Sequence, residues 1–240
     1  MIKVVYSGTR NLYPAMRGAV LSLLEHNPDA KVYILAEDDE LPWTPPCEHE
    51  ILNVSGQTWF PPDNPNMRSQ FTYMAMVRAC TADLIPEDRV LQLDVDTIVC
   101  GSLRELWETD LDWKWIGWGP ERLSTYRPYG QMYYNFGVAL LNLSQMREDG
   151  ATARLAGMLN ADFYPYVDQD VMNLLALPEK SVDIDARYND SFCCGHSPHP
   201  VIVHHAGYPN WYTDNRTPGW QLREKYRRLA DEVFGPETGG

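Results

Sequence analysis

No stretch of this 240-residue chain approaches the ~20 consecutive apolar residues that a membrane-spanning helix needs. The opening Met1-Ile2-Lys3-Val4-Val5-Tyr6 reads as a strand: it is too short for a secretory signal, and polar Ser7-Gly8-Thr9-Arg10 follows it. Cysteine is sparse and odd in number, at Cys47, Cys80, Cys100, Cys193 and Cys194. No C-x-x-C occurs, and adjacent Cys193-Cys194 could pair only with strain. Structural disulfides are therefore not expected, and the setting reads as reducing and cytoplasmic. Positive charge is in deficit, with 20 Lys and Arg against 33 Asp and Glu, a net −13. That disfavours non-specific binding to nucleic acid or to an anionic membrane surface. An anionic ligand would need a metal or a few placed arginines. Also missing are G-x-x-x-x-G-K-[ST], a G-x-G-x-x-G after the first strand, G-x-S-x-G and H-E-x-x-H.

What is present is 44% apolar, enough for one large α/β domain or two small ones. No repeat, low-complexity tract or domain-splitting linker interrupts it. Ile2 to Tyr6 is a strand. A helix follows with Pro14 in its first turn and Val20, Leu21, Leu23 and Leu24 on its apolar side, ended by Asn27-Pro28. Val32 to Ala36 is the next strand. Such a strand–helix–strand unit favours a parallel sheet, whose ligands bind at the carboxyl edge. Glu50 to Val54 is a short strand. Met67 to about Leu84 is helical, with Phe71, Met74, Ala75, Arg78, Ala82 and Ile85 on one stripe. Arg78 on that stripe is either snorkelling at a helix edge or a cation aimed into a pocket. Trp113 to Trp118 reads as a strand with its three tryptophans on one face, as core or shelf. Tyr133 to Leu143 is another buried strand, after which Ser144 can cap a helix. Asp168-Gln169-Asp170 heads a helix, where acids also serve the helix dipole. Val182 to Ile184 and Val201 to His204 are strands. Trp220 to Phe234 is an amphipathic helix with a basic, solvated face.

Val90 to Val99 is the stretch that carries chemistry. It reads as one buried apolar strand offering Asp94 and Asp96, two residues apart and so on the same side. The plainer reading is a solvated turn at a strand end. The functional one is a cation site, since buried carboxylates need compensation. A histidine at the end of a later strand, His204 or His205, completes a mixed oxygen and nitrogen set. That set suits Mn²⁺ better than Ca²⁺, with Mg²⁺ as the alternative. A zinc site built on His196, His199, Cys193 and Cys194 lacks zinc-finger spacing.

Several ordered blocks, from Met1 to about Tyr212, resemble the family 8 retaining glycosyltransferases, which include glycogenin and bacterial galactosyl- and glucosyltransferases. They are the opening strand and helix ending Leu21 to Pro28; Thr72-Tyr73 with Arg78; Leu84-Ile85-Pro86 and Arg89 to Thr97; Tyr134-Asn135-Phe136-Gly137-Val138 with Leu141-Asn142-Leu143; Asp168-Gln169-Asp170 with Asn173; Arg187-Tyr188-Asn189; and Val203-His204-His205-Ala206-Gly207 with Trp211. The resemblance implies an α/β fold of GT-A type, a Rossmann-like central mixed, mostly parallel sheet flanked by helices. It implies a single glycosyltransferase domain over 1–240, with a nucleotide-sugar-binding half (1–100), an acceptor and sugar half (101–215) and a C-terminal helix (216–240).

The same resemblance implies site residues. Asp94, Asp96 and His204 would hold Mn²⁺ against the donor diphosphate, His204 being preferred because the family pattern H-x-x-G is met by His204 and Gly207. Arg78 would contact the donor sugar or diphosphate, and Val95 would border it. Gly207 would let backbone approach the phosphates. Tyr6, Ser7, Gly8 and Thr9 would border uridine. Asn135 and Gly137 would line the sugar and acceptor side, and Asp168 and Gln169 would be catalytic. Asn210 stands where the family places a diphosphate-binding lysine, with Arg10 or Arg216 as substitutes. The loop after the first strand lacks the family's acid, and Phe136 replaces a small residue, which would narrow the sugar pocket.

The function implied is metal-dependent, retaining transfer of a hexose, glucose or galactose, from a UDP-sugar to an acceptor saccharide, other small molecule or glycoconjugate. The alternative is a catalytically weak or inactive nucleotide-sugar-binding protein on the same fold. A sugar nucleotidyltransferase would need a Gly- and basic-rich phosphate loop, where this chain offers only Gly8 and Arg10.

Overall fold

The first strand–helix–strand unit is β1 (Lys3–Ser7), α1 (Tyr13–His26) and β2 (Lys31–Ala36), with Pro14 in the first turn of α1 and Asn27 closing it. The computed structural model describes residues 1–122, 132–207 and 220–234. The chain continues through β3 (His49–Asn53), α2 (Tyr73–Arg78), α3 (Thr81–Leu84), β4 (Arg89–Leu93), β5 (Thr97–Val99) and α4 (Arg104–Trp107). Then come β6 (Ile116–Pro120), β7 (Tyr134–Asn142), α5 (Leu143–Glu148), α6 (Ala151–Ala161), α7 (Asp168–Ala176), β8 (Ser181–Asp183), β9 (Ile202–His204) and α8 (Trp220–Phe234).

Seven strands form one sheet in the order β3-β2-β1-β4-β7-β6-β8. β3, β2, β1 and β4 run parallel, β7 is antiparallel to both β4 and β6, and β8 is parallel to β6. This is the mixed, mostly parallel sheet that the family resemblance implies, where the first strand–helix–strand unit alone pointed to a parallel one. Period-two alternation sends residues to both faces. Val4, Tyr6, Val32, Ile34, Leu91, Val138 and Leu140 pack on the side of α1. Val5, Tyr33, Leu35, Val90, Ala139 and Leu141 pack against the helices between α2 and α7. Burial on both faces explains why these strands read as nearly continuous apolar runs. At β1 the order turns, with β2 on one side and β4 on the other, so the loops leaving their carboxyl ends flank a crevice. Among the described residues, no helix is long and apolar enough to cross a membrane.

Four local expectations change. The stretch from Val90 to Val99 is two strands: β4 belongs to the large sheet, while β5 pairs with β9 in a separate two-stranded sheet. Asp94 to Asp96 is the turn between them. The helix from Met67 to Leu84 is a 3₁₀ turn at Pro65–Arg68 followed by the short α2 and α3, and Phe71 lies exposed outside both. β6 begins only at Ile116, Trp113 is 45% exposed, and Trp115 and Trp118 are buried. An odd spacing separates Trp115 from Trp118, so period two could never have put them on one strand face. Finally, the cap of α5 is Asn142, whose side chain accepts from the Gln145 N–H, not Ser144.

One buried side chain at the end of α1 fastens the segment that follows β5. Asn27 accepts from the Leu103 N–H (2.9 Å) and donates to the Gly101 carbonyl (3.2 Å). Asn27→Ala leaves the buried Leu103 N–H without this acceptor. It should lower the unfolding free energy by about 2–3 kcal/mol in urea titrations, whereas a loss well under 1 kcal/mol would contradict this role.

Candidate functional site

The crevice is built where β4 leaves the sheet. The Asp94 N–H donates to the Gly137 carbonyl of β7 (2.8 Å), and the Asp94 carbonyl accepts from the Thr97 N–H (3.2 Å) and hydroxyl (2.7 Å). This closes a tight turn and sets the register in which Thr97 of β5 faces His204 of β9. His204 Nε2 consequently stands 3.2 Å from Asp96 Oδ1 and 3.7 Å from Asp94 Oδ2. Ligand atoms of Asp94, Asp96 and His204 all lie within 4.8 Å of one another, the geometry of a group that could hold a metal ion. Gly137 makes the room: a Cβ added there would sit 2.2 Å from His204 Cε1 and 2.8 Å from Asp94 Oδ2. A cation fits this set. Asp96 Oδ1 is buried and has no hydrogen bond among the described residues. Two carboxylates with one imidazole also match the ligand preferences of Mn²⁺ or Mg²⁺.

Arg78 lies against the triad. Its Nε donates to Asp168 Oδ2 (2.8 Å), its Nη1 donates to Asp94 Oδ1, and its guanidinium stacks over the Phe136 ring, 5.5 Å from the centroid. The helix-edge snorkelling reading of Arg78 therefore fails, because its charge is held between two carboxylates. Burial pushes the Asp168 carboxyl up to about 6, against the pull of Arg78. Burial also raises Asp94, opposed by Arg78 and His204. Asp96 ends below its ordinary value because the attraction of His204 overrides burial. His204 ends above its own because Asp96 and Asp94 together override burial. Neighbouring His205 is pushed down to about 4 by burial, and its backbone N–H bonds the Asp96 carbonyl (2.9 Å).

The opposite wall is the start of α7. Val167, just before it, is buried with φ +50° and ψ −113°, a costly backbone conformation for a β-branched residue. It launches Asp168 toward Arg78 and Gln169 toward β7. The Gln169 carboxamide has fixed partners at both ends. Its oxygen accepts from the Phe136 N–H (2.9 Å) and Asn135 Nδ2 (3.3 Å), and its nitrogen donates to Glu121 Oε1 (3.2 Å) and the Tyr133 hydroxyl (3.1 Å). Asp170 is fully buried and accepts from the Tyr133 hydroxyl (2.5 Å) and the Tyr166 N–H (2.9 Å).

The remaining expected residues distribute as follows. Tyr6 is the last residue but one of β1, with its side chain wholly buried under α1, so only its backbone faces the loop. Ser7 and Thr9 are half-buried, and the Gly8 N–H bonds the Leu35 carbonyl (3.1 Å). Val95 is buried in the metal-side turn, and Gly207 has φ +85°, which favours glycine. Arg10 is engaged by Asp38, at 2.7 Å from Nη2. The Phe136 ring is fully buried, edge-on to Trp118 and beneath the Arg78 guanidinium. Asn210, Trp211 and Arg216 lie outside the described residues. In the alternative histidine cluster, His196 Nδ1 sits 2.8 Å from Asp190, and no metal-holding group forms there among the described residues. Two residues were given no role in the site from the sequence, although Asn189 belongs to one of the family-like blocks. Glu121 is a buried acid directly after β6, a strand-end position like that of Asp94. Asn189 bonds His204 Nδ1 through its Oδ1 (2.8 Å).

A family model described as glycosyl transferase family 8 matches residues 3–207. Glycosyltransferase GlyE of Streptococcus pneumoniae is 26% identical over 198 residues, 78% of this chain and 47% of that protein. GlyD of the same organism is 32% identical over 165 residues, 63% of this chain and 19% of that protein. The chain thus spans about half or less of the length of these relatives. Among solved structures, galactosyltransferase LgtC in complex with donor and acceptor sugar analogues superposes with a TM-score of 0.74 at 21% identity, covering 98% of each chain. The GlyE crystal structure gives 0.74 at 21% identity, covering 100% of this chain and 66% of that one. The fold shared with these structures is of GT-A type.

The raised Asp168 carboxyl makes a stability prediction. A carboxyl at about 6 in the fold, against an ordinary 3.8, takes up a proton on folding in between. The stability it contributes is full below the ordinary value and is lost as pH rises through about 6. From about pH 4 to about pH 7, the unfolding free energy of the wild type should fall relative to that of Asp168→Asn by on the order of 2–3 kcal/mol. Urea titrations of both proteins across that range check this, and a pH-independent difference would contradict it.

Proposed function

The chain belongs to glycosyl transferase family 8, and from that membership we propose that it is a retaining glycosyltransferase. In this reading it moves a hexose, glucose or galactose, from a UDP-sugar to an acceptor saccharide, other small molecule or glycoconjugate. Asp94, Asp96 and His204 hold a divalent metal, Mn²⁺ in preference to Mg²⁺. The observation that supports this best is the convergence of those three side chains over Gly137, beside Arg78 and the fixed Gln169 carboxamide.

A bound divalent cation supplies Lewis acidity toward the diphosphate leaving group. Arg78, the cation beside the triad, takes the donor's diphosphate or sugar oxygens through its planar donors. On this reading the Tyr6 backbone, Ser7, Gly8 and Thr9, at the carboxyl end of β1, border the uridine, and Val95, after β4, borders the donor sugar or diphosphate. Gly207, free of a Cβ, lets the chain approach the phosphates. Asp168 and Gln169 orient the sugar and stabilise an oxocarbenium-like state in front-face transfer. Two features favour orientation over nucleophilic attack: Asp168 is ion-paired with Arg78, and both Gln169 oxygen contacts are hydrogen-bond donors. All five thiols are free, in keeping with a reducing, cytoplasmic setting.

UDP release from UDP-glucose and UDP-galactose, with Mn²⁺ and with EDTA, tests the reading. The expected result is turnover only with metal, and an α-configured product by NMR. Metal-independent turnover, or no nucleotide-sugar binding at all, would contradict it. Binding of UDP and Mn²⁺ without transfer across a broad donor panel would assign the alternative, a binding protein on this fold. Asp94→Asn should lower turnover by on the order of 100-fold or more while thermal unfolding stays near wild type. Gly137→Ala should abolish Mn²⁺ binding, because its Cβ enters the space between His204 and Asp94. Wild-type Mn²⁺ affinity in the alanine variant would refute that placement.

A further inference from the structure

On the metal-site reading above, a chain of side-chain amides fixes the metal-facing nitrogen of His204. A backbone N–H can only donate, which makes it a fixed reference for amide and imidazole orientations nearby. The Gly137 N–H points at the Asn135 side chain (3.0 Å), so the atom there must be the Asn135 oxygen. The same oxygen receives a bond from Asn189 (3.1 Å), so Asn189 must present its nitrogen to it. The Asn189 oxygen is then the atom 2.8 Å from His204 Nδ1, so Nδ1 must carry a proton. In the neutral imidazole this leaves the Nε2 lone pair facing Asp94 and Asp96. The other side of Asn135 obeys the same logic. Its nitrogen faces two acceptors, Glu121 Oε1 (3.3 Å) and Gln169 Oε1 (3.3 Å). The Phe136 N–H independently requires the Gln169 oxygen at that position. Two successive N–H groups of β7 thus set the polarity of one continuous path, His204–Asn189–Asn135–Gln169. His204, Asn189 and Asn135 are all at least nine-tenths buried, so water does not offer them alternative partners.

We propose that Asn189 is a positioning residue that selects the metal-binding tautomer of His204, and that Asn135 joins the metal site to the Gln169 carboxamide. Two substitutions separate the two ends. Asn189→Asp keeps an acceptor for His204 Nδ1–H but turns an oxygen toward Asn135 Oδ1, breaking the link to Gln169. Asn189→Leu removes the acceptor at His204 as well.

The test is Mn²⁺ titration calorimetry on the full chain, with steady-state UDP release from UDP-galactose and UDP-glucose, and near-UV circular dichroism as the folding control. Asn189→Leu should weaken Mn²⁺ binding by about 10- to 100-fold, the range seen when a histidine ligand loses its outer partner. Asn189→Asp should bind Mn²⁺ about as tightly as wild type, yet show a reduced kcat at unchanged donor KM. Equal weakening by both variants would mean that Asn189 serves packing alone and would overturn the proposal. Unchanged affinity in both would overturn it too. If the leucine variant does not fold, the aspartate variant decides alone: retained affinity with reduced kcat supports the relay, and weakened affinity refutes it. A wild-type protein that binds no Mn²⁺ would instead refute the metal reading, and the relay with it.

Discussion

Everything in the crevice depends on an arginine held between two carboxylates. Asp94 and Asp168 come from segments far apart in the sequence, and burying either charge alone would be costly. Arg78 offsets both at once, Nε to Asp168 and Nη1 to Asp94. In doing so it ties the end of α2, the turn after β4 and the start of α7 into one wall. Its flat guanidinium lies over Phe136, whose ring is core material packed edge-on to Trp118. The charge cluster is thus backed by the buried sheet through Phe136 of β7, which suits a site that must hold its geometry. The strain at Val167 fits the same picture, since the backbone there is bent against its preference to deliver Asp168 and Gln169.

A second constraint is space. Asp94, Asp96 and His204 can meet only because residue 137 has no side chain, and β7 runs directly beneath them. β7 also contributes Asn135 and the N–H groups of Phe136 and Gly137, so one strand provides the floor, the polarity and the clearance of the site. The Asp94–Asp96–His204 group and the Gln169 carboxamide are therefore not separate features. They are two ends of one hydrogen-bonded system whose directions are dictated by backbone.

Much of the fold was legible in the sequence because the sheet is buried on both faces and its strands are near-continuous apolar runs. The errors came where tertiary context cut across local pattern. Val90 to Val99 alternates Leu91, Leu93 and Val95 with Gln92, Asp94 and Asp96 as a single strand would, yet it passes from one sheet to another, and nothing in its periodicity marks the turn at Asp94. The stripe from Phe71 to Ile85 matched a helix, but the helix ends at Arg78 and resumes only at Thr81, with Phe71 outside both pieces. Among the site residues, Asp94 and Asp96 stood out as acids beside an apolar strand, and His204 as a histidine ending another. The choice of His204 over His205 came from the family resemblance, and the pairing of β5 with β9 gives it a geometric basis. Glu121, Asn189 and the role of Gly137 were not legible, because each depends on three or more segments meeting: an acceptor for one amide, a partner for one imidazole, a space.

The central claim is that Asp94, Asp96 and His204 form the metal end of a nucleotide-sugar site. The most direct measurement is a crystal structure of the protein grown with Mn²⁺ and UDP, with anomalous data collected at the manganese edge. The account predicts one strong anomalous peak bonded to Asp94, Asp96 and His204 Nε2, with the diphosphate of UDP bound to the same ion. A peak at other side chains, or ordered UDP with no metal beside this triad, would contradict it.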